Sequence, residues 1–202
     1  RFYSLPLKEG DAVFFERGGL WRGELFVYVK NITIGAYGNG PKPRFYGSLK
    51  NYAVPHEWVK TDRPNIWKYT KEITDPGTLV FNDGEAHSRK LIPTFRNMQF
   101  VCRDDINKPF VMENEMTQDL DIYWFFDSIL EYGTSKGEKF PIPAANSSCY
   151  GDLFLRCDKG NPGEVFDSIE SIARHVAFRV GENANVTVDN MCMKYLCFGV
   201  TA

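Results

Sequence analysis

Residues 23–48, GELFVYVKNITIGAYGNGPKPRFYGS, decide how the rest of the chain is read. They hold an apolar run at 25–29, a second at 32–37 and a shorter third at 44–46. The runs are rich in β-branched and aromatic residues, which pack well on a pleated face. Gly38-Asn39-Gly40-Pro41-Lys42-Pro43 separates the last two. Its prolines exclude helix, and its glycines and asparagine supply tight corners. Short runs joined by such corners suit a chain that keeps turning one way and stacks on itself.

The same grammar extends upstream. A turn at 8–11 leads into the apolar run 12–16, Arg17-Gly18-Gly19 turns the chain, and Leu20-Trp21-Arg22-Gly23 leads into the opening stretch. Continuous apolar runs of this kind predict parallel strands buried on an inner face. It returns near the C-terminus, with strands expected at 176–180, 186–188 and 190–195 and a corner at 181–185. Corner asparagines tolerate left-handed backbone and can stack from one coil to the next.

The middle reads differently, in antiparallel terms. Strands are expected at 65–69 and 78–81, and Asn82-Asp83-Gly84-Glu85 is a hairpin signal with 87–92 as the returning strand. Residues 96–114 read as loop with a little structure around 98–101. Alternation over 120–126 favours a strand, with a helix over 116–132 as the alternative. Residues 133–148 read as a surface excursion, 152–156 as a strand, 159–163 as a turn and 165–172 as a strand or strand pair. The expected fold is therefore all-β. The first coils of a stacked parallel array (1–50) are interrupted by an inserted antiparallel, sandwich-like domain (51–174), and the array resumes at 175–202.

These residues resemble the right-handed parallel β-helix proteins of the pectin-lyase-like superfamily. The resemblance is carried by Gly10, Asp11, Arg17, Gly18, Trp21, Arg22, Gly23, residues 35–38, Gly40, Lys42, Pro43, Gly47 and Ser48, and by Asn185-Val186-Thr187-Val188-Asp189-Asn190 as a later rung. Some carbohydrate-active members carry a β-sandwich between early coils, and the middle of this chain, with its Gly160-Asn161-Pro162 turn, is similar to that insertion. The resemblance implies a glycoside hydrolase or polysaccharide lyase acting on an extracellular polysaccharide or oligosaccharide, outside the cell or on its surface. The alternative is a non-catalytic polysaccharide-binding or adhesin-like protein. Such folds host many activities, so the scaffold does not choose the reaction. In that family the catalytic residues usually lie on central coils, which here would follow Ala202. The chain starts inside a β pattern and stops without a terminator, so the expectation is a piece of a longer protein, and no catalytic residue is assigned.

Composition narrows the partners. The chain has 202 residues, 43% hydrophobic and 25% charged, with a net charge of −2. No cluster of Lys and Arg marks a nucleic-acid or anionic-membrane partner. No apolar stretch approaches the ~20 residues of a membrane span. The aromatic share is 15%, which serves a β core and also suits sugar binding, where flat rings stack on pyranose faces. Trp58, in a polar loop, is the candidate sugar-binding ring; Trp21, Trp67 and Trp124 are more simply core. The cysteines at 102, 149, 157, 192 and 197 are odd in number and lack CxxC spacing, which argues against a zinc site or a dense disulfide framework, though a Cys149–Cys157 bridge stays open.

Glycoside hydrolysis needs two carboxylates flanking one bond. Asp83, Glu85, Asp119, Asp121, Asp127, Glu164 and Asp167 are the candidates, and spacing singles out none of them. Asp83, Glu85 and His87 are explained by the turn they occupy, so no metal or cofactor is expected. His56 and His175 stand alone, and no nucleophile motif or phosphate loop is present. The Asn-x-Ser/Thr triplets at Asn31, Asn146 and Asn185 read as corner and loop asparagines.

Overall fold

The computed structural model describes residues 6–96, 99–125, 130–135, 138–143, 150–172, 176–182, 184–196 and 198–201. The chain is all-β with a few short helices. In chain order the strands are β1 (Ala12–Glu16), β2 (Leu20–Arg22), β3 (Leu25–Val27), β4 (Ile32–Tyr37) and β5 (Arg44–Tyr46). There follow β6 (Trp58–Lys60), β7 (Ile66–Tyr69), β8 (Ile73–Thr74), β9 (Leu79–Phe81), β10 (Ala86–His87), β11 (Arg89–Leu91), β12 (Thr94–Arg96) and β13 (Gln99–Val101). Helix α1 (Met112–Glu115) precedes β14 (Asp121–Phe125), β15 (Leu130–Ser135), β16 (Glu138–Pro143) and β17 (Tyr150–Arg156). After α2 (Pro162–Val165) come β18 (Ile169–Ser171), β19 (Val176–Val180), β20 (Val186–Val188), β21 (Cys192–Lys194) and β22 (Phe198–Thr201). Two compact units result, one made of 1–51 and 170–202, the other of 52–169.

In the first unit the strands form three sheets, β1-β4-β20, β2-β5-β21 and one with β19 between β3 and β22, and their strands pair in parallel. The chain visits the sheets in rotation, so each new strand lies beside the one laid down a pass earlier. Register aligns like with like: Val13 lies beside Ile34 and Ile34 beside Val188, while Trp21, Phe45 and Met193 form a second row. Phe15, Leu25, Val27, Ile32, Ile34, Phe45 and Phe178 form the buried core between the sheets. Because successive strand residues point to opposite faces, Phe14 and Tyr37 are left exposed on the outside.

The corners carry the polar work. Asn31 and Asn185 both adopt positive φ, 57° and 51°, a conformation Asn accepts at lower cost than most residues. The Asn185 amide donates to Asn31 Oδ1 at 3.3 Å, and the Asn31 amide donates to Glu9 Oε1 at 2.7 Å. The expected stacking of corner asparagines is thus present as a ladder through three passes of the chain. At the next corner, a Cβ on Gly19 would lie 2.2 Å from the Trp21 ring, which explains why that indole follows Arg17-Gly18-Gly19.

Ser48 and Ser171 close the first unit where the middle segment departs and rejoins. Ser48 Oγ accepts from Ser171 N at 3.0 Å and donates to Lys50 O at 2.9 Å. Beside them Arg22 grips Glu170 through two nitrogens, both at 2.7 Å, and donates to Ser48 O at 3.0 Å.

The second unit is built on a six-stranded sheet, ordered β11-β14-β17-β7-β6 with β8 beside β17. Its pairings are antiparallel except β11 with β14. Its Tyr69, Ile122, Leu153 and Leu155 pack with Phe81 of β9 and Ile169 of β18 into a core. Shorter antiparallel ladders join β9 to β10, β12 to β13 and β15 to β16.

Some sequence expectations need correction here. Residues 87–92 do not form one returning strand: β10 pairs with β9, whereas β11 joins β14. The hairpin expected at 82–85 is present, since β9 and β10 pair antiparallel across a 3-10 turn with Asn82, Asp83 and Gly84 all at positive φ. Within 165–172 a strand forms only at β18, Ile169–Ser171, and Val165 instead ends α2, which overlaps the expected 159–163 turn: Asn161 caps it through a 2.9 Å bond from Gly163 N and Pro162 starts it. The segment 96–114 holds the end of β12, part of α1 and the whole of β13, where structure around 98–101 was expected, and 133–148 contains most of the β15–β16 ladder. Over 121–125 the strand reading stands and the helical alternative fails. Cys149, Cys197, His175, Asp127 and Asn146 lie outside the described residues, and with them the Cys149–Cys157 bridge; Cys157 is a buried free thiol.

Candidate functional site

Trp58, expected as an exposed ring, is a core residue of the second unit with 3% of its surface exposed. It pairs across β6 and β7 with Tyr69, its ring lies 5.2 Å from that of Tyr69, and its indole N–H donates to Tyr52 O at 2.8 Å. Neither ring face is left for a sugar. The polar residues around it misled the reading: Val59 and Lys60 face solvent while Trp58 turns inward. Its neighbour Glu57 is also buried, accepting hydrogen bonds from the Tyr69 hydroxyl and, at 2.8 Å, from Lys71 Nζ. Burial, reinforced by that carboxylate, pushes the Tyr69 phenol far above its ordinary range.

The acidic candidates are mostly structural. Asp121 is fully buried and held by Arg89 through two contacts of 2.6 and 2.7 Å. Asp119 accepts from Asp158 N at 2.9 Å. Glu85 accepts from Asn82 at 3.0 Å, and Glu164 sits in the first turn of α2. Asp83 and Asp167 donate backbone N–H groups to Ser168 Oγ and Asn82 Oδ1 respectively. Among the described residues no group of three or more His, Cys, Asp or Glu side chains is placed to hold a metal ion. Among the same residues no helix is long and apolar enough to cross a membrane.

The feature with binding geometry lies on the outer face of the sheet β3-β19-β22. Leu25 and Val27 of β3 and Phe178 of β19 point into the core, so alternation turns Phe26 and Arg179 outward. Register sets Phe26 beside Arg179, and Thr201 of β22 follows in the same row. Tyr28, just past β3, is 71% exposed. Its ring lies 10° from parallel to that of Phe26, with centroids 6.3 Å apart.

Gly181 makes room for this arrangement. Its N–H bonds Val27 O at 2.9 Å, and a Cβ there would meet the Tyr28 ring at 3.0 Å. The Arg179 guanidinium stands 5.4 Å from the Phe26 centroid, and its Nη2 is 3.5 Å from Glu24 Oε1. A cation over a ring face is held by the ring quadrupole. The result is two near-parallel rings, with the Arg179 guanidinium over the face of Phe26 and the largely buried Glu24 carboxylate beside it.

That combination has a defined chemical use. The exposed Tyr28 ring offers a flat, weakly negative face to the C–H groups of a pyranose, while the exposed Arg179 offers a donor fork to hydroxyls. The sequence hid it. Phe26 and Tyr28 stand inside the uninterrupted apolar run 25–29, which reads as buried throughout. The usable signal was the opposition of Phe26 to Arg179 across strands, which needs the register. Comparison of the chain with family models, with curated proteins and with solved structures found no match.

Proposed function

We propose that the three parallel sheets are the faces of a parallel β-helix, interrupted after Ser48 by an inserted β domain, and that the protein binds a polysaccharide or oligosaccharide outside the cell or on its surface. The observation that carries this reading is the pair of aligned rings, Phe26 and Tyr28, beside Arg179. Rings held parallel on a flat sheet are pre-organised, so little ordering entropy is lost when a rigid sugar chain docks. The polysaccharide-binding reading is favoured over cleavage, because Asp121, Asp119 and Glu85 already accept hydrogen bonds from Arg89, Asp158 N and Asn82. A hydrolase or lyase would carry its reacting groups on other coils of the same protein.

Affinity electrophoresis of the chain through gels containing different polysaccharides tests this. At least one neutral or acidic polysaccharide is expected to retard the protein. Tyr28→Ala is expected to reduce that retardation about tenfold, the equivalent of about 1.4 kcal/mol. Retardation unchanged in Tyr28→Ala and in Phe26→Ala would sink the assignment.

A further inference from the structure

The second unit contains a cavity of about 400 Å3 that the reading above does not use. It runs along β11, the edge strand of the six-stranded sheet, and is lined there by Arg89, Lys90, Leu91 and Ile92. Arg103 and Phe110 are among the residues opposite. A volume near the low end of the ligand-pocket range suits a molecule of roughly a dozen non-hydrogen atoms.

Its polar groups are unevenly satisfied. Arg89 is clamped by Nε and Nη2 on the buried Asp121, so the plane of its guanidinium is fixed. Its Nη1 makes no hydrogen bond among the described residues, although Glu115 attracts the guanidinium electrostatically, and the side chain is half exposed. Arg103 lines the same cavity with no hydrogen bond or ion pair among the described residues. Lys90 adds a main-chain donor: Arg89 N bonds Leu120 O, so parallel alternation turns the Lys90 N–H away from β14, toward the open edge. Three donors of this kind call for a carboxylate.

The remaining lining narrows the ligand. Glu115 is already held by Lys108 at 2.5 Å, whereas Asp104 has no partner among the described residues. A dianion such as phosphate would be repelled by these two carboxylates, and a neutral sugar would leave Arg103 unanswered. Asp104 instead accepts a hydroxyl, and Phe110 and Ile92 cover the carbon skeleton. We infer that this cavity binds a small, singly charged carboxylate that also bears hydroxyl groups.

The inference is independent of the ring pair on the first unit, and its test keeps the two apart. Calorimetric titration of the whole chain would use gluconate, glucose, benzoate and inorganic phosphate as probes. Gluconate is expected to bind, glucose and phosphate at least tenfold more weakly, and benzoate in between. Arg103→Gln, at an exposed position, is expected to keep the circular dichroism spectrum and to weaken gluconate at least tenfold. Tyr28→Ala is expected to leave gluconate binding unchanged. No gluconate binding, equal binding in Arg103→Gln, or phosphate or benzoate binding as tightly as gluconate, would each overturn it.

Discussion

Glu170 shows how much a single side chain can hold in this molecule. Its carboxylate is 4% exposed, and both its oxygens are taken by Arg22, whose guanidinium also lies 5.3 Å from the Tyr46 ring. A buried pair is costly to form but more costly to break from one side, because the survivor is left charged and uncompensated. Glu170→Ala is therefore expected to destabilise the protein by about 3 kcal/mol, read from the midpoint of urea unfolding. Arg22→Met combined with Glu170→Leu should recover much of that loss. A Glu170→Ala midpoint equal to that of the parent would show the pair to be spectator geometry. Two tyrosines act on pH instead. Burial pushes the Tyr123 phenol up to about 12, and Tyr69 lies higher still for the same reason and for its bond to Glu57. Both pKa values are raised on folding, so the contribution is fully present below the ordinary tyrosine value near 10 and is lost as pH rises through the folded values. Stability is expected to fall above pH ~10, by on the order of 1–2 kcal/mol for Tyr123 once solvent screening is allowed for. Urea midpoints at pH 9 and 11 measure it, and Tyr69→Phe together with Tyr123→Phe should flatten the difference.

Among the elements, legibility follows how locally each one is determined. Strands β1, β4, β5, β19 and β20 fall where their apolar runs lie, because a run bounded by glycine, proline or asparagine has few other options. The strand expected over 165–172 forms only at Ile169–Ser171, and the turn expected at 159–163 becomes a cap and short helix, because Asn161 accepts from Gly163 N and Pro162 starts α2. β11 was assigned to the wrong partner because Ser88 breaks the return: its Oγ accepts from Leu79 N at 2.8 Å, ending the β9–β10 ladder before Arg89 joins β14. The candidate sites were less legible still. Trp58 differs from an exposed tryptophan only in the side of β6 on which it falls, and a one-residue change of phase inverts that side. The cavity along β11 depends on which strand is the sheet edge, a property of pairing order that no local pattern carries.

At the scale of the whole molecule, the first unit is discontinuous in sequence, yet its break is closed by its own residues. Ser48 Oγ receives the Ser171 N–H at 3.0 Å, and Arg22 ties Ser48 O to Glu170. The ends of the gap are therefore neighbours. Loop-closure entropy grows only slowly with loop length, so a long excursion between such neighbours adds little cost, and a short linker can replace it. The core of that unit is also its own, formed by Phe15, Leu25, Val27, Ile32, Ile34, Phe45 and Phe178. A chain in which residues 52–168 are replaced by a short Gly-Ser linker is accordingly expected to retain the three parallel sheets and any glycan retardation that depends on Tyr28. It is expected to lose gluconate binding, because Arg89, Arg103 and Phe110 go with the deleted segment. Far-ultraviolet circular dichroism, cooperative urea unfolding and the same affinity gels measure these outcomes together. A deleted chain that unfolds without cooperativity would show that the inserted segment supplies part of the scaffold's stability. Retained gluconate binding would instead place the carboxylate site on the parallel sheets.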